Sequence, residues 1–169
     1  MKDALTIVPA GLEDLPVISA LAPEIWRYAY EGILSAAQID YMLNWMYSPE
    51  KLRTDYKEGV KFRLIKHQEK AVGFFAYFEC PENRSVLKLD KLYLSPAFHG
   101  QGVGQMVLDH LSGCASDAGY TALKLNVNKA NKRAVTAYTR NGFKKKESVK
   151  VDIGSGFFMD DYVMEKKLM

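Results

Sequence analysis

The chain has 169 residues, of which 48% are hydrophobic and 25% charged; that size suits one ordinary domain with its own core, and that balance excludes a disordered chain. Lysine plus arginine outnumber aspartate plus glutamate by 23 to 20, too small an excess to argue for a nucleic-acid partner. The two cysteines, Cys80 and Cys114, are far apart with no metal-ligand spacing nearby, so neither a disulfide framework nor a zinc site is suggested.

Leu5 to Pro9 reads as a short apolar strand. Asp14 followed by Pro16 has the form of a helix cap and first turn, with Leu15, Ile18, Leu21 and Ile25 on one side. Ser35 with Gln38 three residues on has the form of a capping box, after which Ile39, Met42, Leu43 and Met46 recur at helical spacing. Two helices are therefore expected in the N-terminal third. They are dense in aromatics, with Trp26, Tyr28, Tyr30 and Trp45; Trp26 and Tyr30 are candidates to line a substrate groove, with a place in the core as the alternative. The first residues lack the long apolar centre of a signal peptide and nowhere do eighteen apolar residues run together, so a cytoplasmic protein with no membrane partner is expected.

After Gly59 the period changes. FRLIKH (62–67), the polar turn at 68–70 and AVGFFAYFE (71–79) read as an antiparallel pair, and a second turn at 81–84 leads into SVLKLDKLYL, the third strand of a meander. In that strand Leu87 and Leu89 share one parity and Leu92 and Leu94 the other, a slip that a bulge near Asp90 and Lys91 would reconcile.

The next stretch, LYLSPAFHGQGVGQMVLDHL, leaves the strand and enters a helix through Gly100, Gly102 and Gly104. Three glycines in five positions are unfavourable unless a side chain would obstruct something. A helix N-terminus offers unpaired N–H groups and a positive dipole end, so the expected occupant is a phosphate or pyrophosphate. Gly104-Gln105-Met106 lacks the Lys-Ser/Thr of a nucleotide P-loop, and G-x-G-x-G after an antiparallel meander is not the G-x-G-x-x-G of a dinucleotide fold. The helix carries Val103, Val107, Leu111, Cys114 and Ala118 on one stripe and stops at Gly119. A strand, a helix opened by Asn131 and two last strands complete the chain; Lys144 to Lys146 read as a solvated strand edge.

His99-Gly100-Gln101-Gly102-Val103-Gly104 resembles the Gln/Arg-x-x-Gly-x-Gly/Ala signature of the GCN5-related N-acetyltransferase (GNAT) superfamily, with His99 departing at the first position. Downstream, Asn131, Ala134, Tyr138, Gly142 and Phe143 fall where that superfamily has Asn-x-x-Ala-x-x-x-Tyr-x-x-x-Gly-Phe. The resemblance covers nearly the whole chain and implies one α/β (α+β) domain over 1–169. Its GNAT fold would be a mixed, mostly antiparallel sheet of about seven strands flanked by four helices, in the order β-α-α-β-β-β-α-β-α-β-β.

The resemblance also implies acetyl-CoA as co-substrate, without a metal. Main-chain amides from Gly100 through Gln101, Gly102, Val103, Gly104 and Gln105 would hold its pyrophosphate. The backbone of Leu92, Tyr93 and Leu94 would pair with the pantetheine arm, and Asn131 would reach the cofactor while capping its helix. Tyr138 matches the general acid that protonates the departing thiolate. The acceptor ammonium must also lose a proton. Where some relatives carry a glutamate this chain has Asn126, leaving Asp90 as the preferred base and Glu79 as the other carboxylate, placed on the substrate side.

The acceptor is expected to be a primary amine, either a small molecule such as a polyamine or a peptide amine, attacked directly in a ternary complex. Asp160 and Asp161 near the last strand's start suit a cationic substrate. A non-catalytic acyl-CoA-binding sensor is the alternative. The aromatic helices or the last hairpin would supply the face of a homodimer.

Overall fold

The structure, a computed structural model, describes residues 5–168; residues 1–4 and 169 of the expected domain lie outside them. Two compact units are present: one runs to Phe78 and takes in Lys91–Val103, and the other comprises Glu79–Asp90 and the chain from Gly104 onward.

In the first unit β1 (Leu5–Pro9) pairs antiparallel with β2 (Lys61–His67), and β2 with β3 (Lys70–Cys80). The turn between β2 and β3 places Gln68 at φ +58°. The end of β4 (Asn83–Leu94) lies beside β3, where Ser95 N–H donates to the Val72 carbonyl at 2.7 Å. The crossing is tight: a Cβ on Gly73 would stand 2.6 Å from the Tyr93 carbonyl oxygen. Only glycine lets the two backbones come this close.

Helix α1 (Leu15–Ala29) buries Leu15, Ile18, Ala22, Ile25 and Trp26, with Leu21 at the margin. Asp14 does not cap it by its side chain; its carboxylate accepts from Gly11 N–H at 2.9 Å and stabilises the short 3-10 turn Leu12–Asp14. Helix α2 (Ala36–Tyr47) begins as expected, Ser35 Oγ accepting from Gln38 N–H at 3.1 Å. A third helix, α3 (Pro49–Lys57), corrects the expectation of two. Ser48 Oγ accepts from Lys51 N–H at 3.2 Å and Pro49 takes the first helical position, an N-terminal signature present in the sequence.

In the second unit the start of β4 pairs in parallel with β5 (Ala122–Asn128), from Val86 opposite Ala122 to Leu89 opposite Leu125. β5 pairs antiparallel with β7 (Phe157–Lys167), and β7 with β6 (Lys144–Gly154), so the last strand lies between β5 and β6. Lys144 to Lys146 are exposed on β6, at the outside of this arrangement. Helices α4 (Val103–Asp117) and α5 (Lys132–Arg140) complete it. Among the described residues the protein is thus mixed α/β with seven strands and five helices, one more than the four expected.

Two details of patterning differ from the sequence reading. On α4 the buried stripe is Val103, Val107, Leu108, Leu111 and Ala115, while Cys114 is exposed. Positions 114 and 115 flank the stripe about equally at 3.6 residues per turn, and burial falls to the alanine. On β4 the inward places run Leu87, Leu89 and Lys91, so burial keeps its parity and places a lysine inside. Among the described residues no helix is long and apolar enough to cross a membrane.

Candidate active site

The glycine-rich turn is built from the first unit's end of β4. A 3-10 turn, Pro96–Phe98, follows Ser95 and buries Phe98. His99 then turns back so that its Nε2–H donates to the Leu94 carbonyl at 2.8 Å, and its ring stands edge-on to Tyr28 at 5.7 Å. The residue that departs from the family signature therefore fastens the turn to the strand. Gln101 Nε2 adds a bond to the Ala97 carbonyl at 2.9 Å.

Gly100 and Gly102 adopt φ of +75° and +79°, the left-handed region in which a side chain is strained. Gly104 lies within the first turn of α4. A Cβ on Gly100 or Gly104 would meet nothing within 4 Å. Open space above the left-handed Gly100, ahead of the 15-residue α4, suits a bulky anion held by main-chain N–H groups. Gln101, Val103 and Gln105 contribute the neighbouring amides of that turn.

Beside this turn the first unit holds an aromatic cluster. Trp26 is 1% exposed and donates from Nε1 to the Tyr47 hydroxyl at 3.1 Å. Tyr30 and Tyr93 share a hydroxyl–hydroxyl bond of 2.8 Å, and both rings lie against Trp26, at 4.7 and 5.4 Å between centroids. Phe74 packs between Tyr47 and Tyr93. Trp26 is therefore backing for Tyr30, and the Tyr93 side chain belongs to the same cluster. The buried Lys91 sets its ammonium 5.4 Å from the Tyr47 ring. Sequence reading missed Tyr47, since a tyrosine ending a helix carries no distinct signal, and singled out Lys91 only as a bulge position.

In the second unit Asn131 caps α5, its Oδ1 accepting from Ala134 N–H at 3.3 Å. Tyr138, half-buried on α5, stands edge-on to Phe143 at 5.7 Å. Asn141, just past α5, is the hub that fixes this helix end. Its Nδ2 donates to Gln105 Oε1 and Asp109 Oδ1, each at 2.9 Å, and its Oδ1 accepts from Lys166 Nζ at 2.7 Å. Lys166 Nζ also donates to Ser112 Oγ at 2.9 Å, and burial lowers its pKa. Asn141 was overlooked because Asn-Gly reads as a turn and nothing more.

Two of the sequence-selected carboxylates also lie in this unit. Asp90 is half-buried on β4. Glu79, at the end of β3, accepts from the Tyr120 hydroxyl at 2.6 Å and from Arg84 at 3.0 Å. The Tyr120 bond foremost, then that of Arg84, lowers its pKa. Asn126 is exposed on β5. Asp160 is ion-paired with Lys129 at 3.0 Å, whereas Asp161 is buried, 4% exposed, and burial above all, helped by Asp160, pushes its carboxyl up to about 6.

Residues 25–143 match the acetyltransferase (GNAT) family. A spermidine N(1)-acetyltransferase of Thermoplasma acidophilum is 27% identical over 169 residues, covering 97% of this chain and 98% of that one. A peptidyl-lysine N-acetyltransferase of Salmonella typhimurium is 28% identical over 130 residues, 76% of this chain and 78% of that one. The crystal structure of the PaiA N-acetyltransferase from Thermoplasma acidophilum in complex with coenzyme A superposes with a TM-score of 0.80 and 25% identity, covering 96% of this chain and 98% of that one. With its family signature and fold both matched, this chain belongs to the acetyltransferase (GNAT) family and is an N-acetyltransferase that takes acetyl-CoA as co-substrate.

Proposed function

We propose that the chain, as one catalytic domain, acetylates a small cationic primary amine of the polyamine class by direct attack with both substrates bound. The observation that carries the anion-binding half of this reading is the left-handed pair Gly100 and Gly102 ahead of α4 with open space above Gly100 and Gly104. The likeness over nearly the full length to a spermidine acetyltransferase supports the amine class.

Bound acetyl-CoA supplies an acetyl thioester and a thiol leaving group. The amides from Gly100 to Gln105 hold its pyrophosphate at the helix end. Leu92 and Tyr93 present β4 backbone to the pantetheine arm, and Leu94 shares its carbonyl with His99. Asn131 caps α5 and faces the cofactor at the same time. Holding both substrates in reacting geometry is the largest service such a scaffold gives.

Proton transfers complete the reaction. Asp90 receives the first proton that the acceptor ammonium loses, the amine nitrogen bonds to the acetyl carbon, the carbon–sulfur bond breaks, the Tyr138 hydroxyl protonates the departing sulfur, and the second proton released by the nitrogen restores that hydroxyl. Glu79, held ionised by Tyr120 and Arg84, is the poorer base and adds negative charge on the substrate side. Tyr30, backed by Trp26, lines the amine groove. No covalent enzyme intermediate is required.

A thiol-release assay with acetyl-CoA tests this across spermidine, amino acids, aminoglycosides and lysine peptides. Turnover with spermidine and neglect of the peptides is the expected result. The reverse preference would favour a peptide lysine as acceptor, a reading supported by the Salmonella relative. Acetyl-CoA binding without turnover on any amine would favour the non-catalytic sensor.

A further inference from the structure

Asp161 stands on β7 opposite Asn128 of β5 and Val149 of β6. Directly paired residues share a face of a sheet, so Asp161 lies on the face that also bears Asn128, and one alternation further along Asn126 opposite Val163. The other face is the one on which Lys166 reaches Ser112 of α4 and Asn141. Lys88 of β4 pairs with Lys124 of β5, so alternation brings Asp90 to the same face as Asn126. Asp90, Asn126, Asn128 and Asp161 thus form one polar array beside the C-terminal ends of the two parallel strands.

Within that array Asp161 is anomalous. It is 96% covered, yet no hydrogen bond or ion pair reaches its carboxylate among the described residues. Of the two cations that favour its charge, Lys88 and Lys129, the second is committed to Asp160 at 3.0 Å, and Asn128 turns its Oδ1 to Ala130 N–H at 2.9 Å. No side-chain oxygen among the described residues is both fully shielded and without a partner, so the Asp161 carboxylate is not wholly sealed from solvent. A covered carboxylate without a direct ion pair is costly, and a cation brought against it relieves that cost.

We propose that Asp161 is the receptor for the acceptor's ammonium, binding it beside Asn126 and Asn128 and thereby setting the preference for cationic amines. This rests on the reading of the chain as an acetyltransferase of small cationic amines. Asn126 is neutral, and the buried negative charge stands one strand over, on β7. The raised pKa fits the same geometry, since a group near 6 is ionised at pH 7.5 and protonated in mild acid. The charged groups about it are Asp160, Lys88 and Lys129, with Glu147 on the same face of β6 and Asp90 on β4.

Calorimetric titration of spermidine into the CoA-bound protein tests this, for wild type and Asp161→Asn. Wild type is expected to bind about tenfold more weakly at pH 5 than at pH 7.5, following protonation of one group near 6. Asp161→Asn is expected to lose about tenfold in affinity at pH 7.5 and to show no such pH dependence, with its CoA affinity unchanged. Equal affinity in the two proteins overturns the proposal, and so does a wild-type affinity that ignores pH or an absence of spermidine binding. If Asp161→Asn matches wild type while spermidine still releases thiol, this inference fails and the proposed reaction stands. If spermidine binds through Asp161 but releases no thiol, the site stands and the proposed reaction fails.

Discussion

Gln105 Nε2 donates to the Ala137 carbonyl at 2.9 Å while its Oε1 accepts from Asn141 Nδ2 at 2.9 Å, so one side chain of α4 holds α5 on both sides of Tyr138. The Gln105→Ala variant keeps the main-chain amide of the glycine-rich turn and removes both bonds. Its expected signature is a fall in kcat of about tenfold through misplacement of Tyr138. Acetyl-CoA affinity should be nearly unchanged, and stability should fall by about 1–3 kcal/mol in urea denaturation. A kcat equal to that of wild type would show that Tyr138 needs no such support.

The close crossing of β3 and β4 makes Gly73 sensitive. A methyl there would stand 2.6 Å from the Tyr93 carbonyl oxygen, and backbone cannot yield as a flexible side chain can. Gly73→Ala is expected to cost about 1–3 kcal/mol in urea denaturation, and any folded remainder should show a raised KM for acetyl-CoA as Tyr93 is displaced. Unchanged stability would contradict the tight approach.

Much of this arrangement was legible in the residues. The glycines of the turn stand out because nothing but a conformational need explains them, and Gly100 and Gly102 do adopt positive φ. Ser35 capped its helix as the Ser-x-x-Gln spacing implied. Helix α3 was hidden because its composition is polar and its predecessor ends only one residue before it, though Ser48 and Pro49 carried the signal. The slip in the apolar alternation of β4 was inferred from Leu92 and Leu94, and the buried place that continues the parity of Leu87 and Leu89 belongs to Lys91. The Gln105–Asn141–Lys166 network joins residues 25 to 36 positions apart, and no local pattern announces such contacts.

Stability should also respond to Asp161. Its carboxyl titrates at 3.8 in the unfolded chain and at about 6 in the folded one, so between these values the native state binds more protons and stability falls as pH rises. Above about 6 the loss is complete. Asp161→Asn is therefore expected to raise the melting midpoint at pH 7.5, with a stability gain on the order of 1–3 kcal/mol, and the gain should vanish near pH 4. Calorimetric scans of both proteins at several pH values read this directly; an equal gain at every pH would refute the titration.

A glutamate at position 102 would combine a left-handed φ of +79° with bulk and negative charge where an anion is to be held. Gly102→Glu is expected to abolish acetyl-CoA binding in calorimetry while circular dichroism stays close to that of wild type. Retained affinity would remove the turn from the cofactor site.

The central claim is that Tyr138 protonates the thiol leaving group during acetyl transfer to a cationic amine, and the rate of thiol release with acetyl-CoA and spermidine, compared between wild type and Tyr138→Phe, tests it most directly. The predicted result is robust turnover by wild type and a kcat lower by about tenfold or more in the variant, within the range of general acid catalysis, with acetyl-CoA affinity retained. A variant as fast as wild type would contradict the assignment.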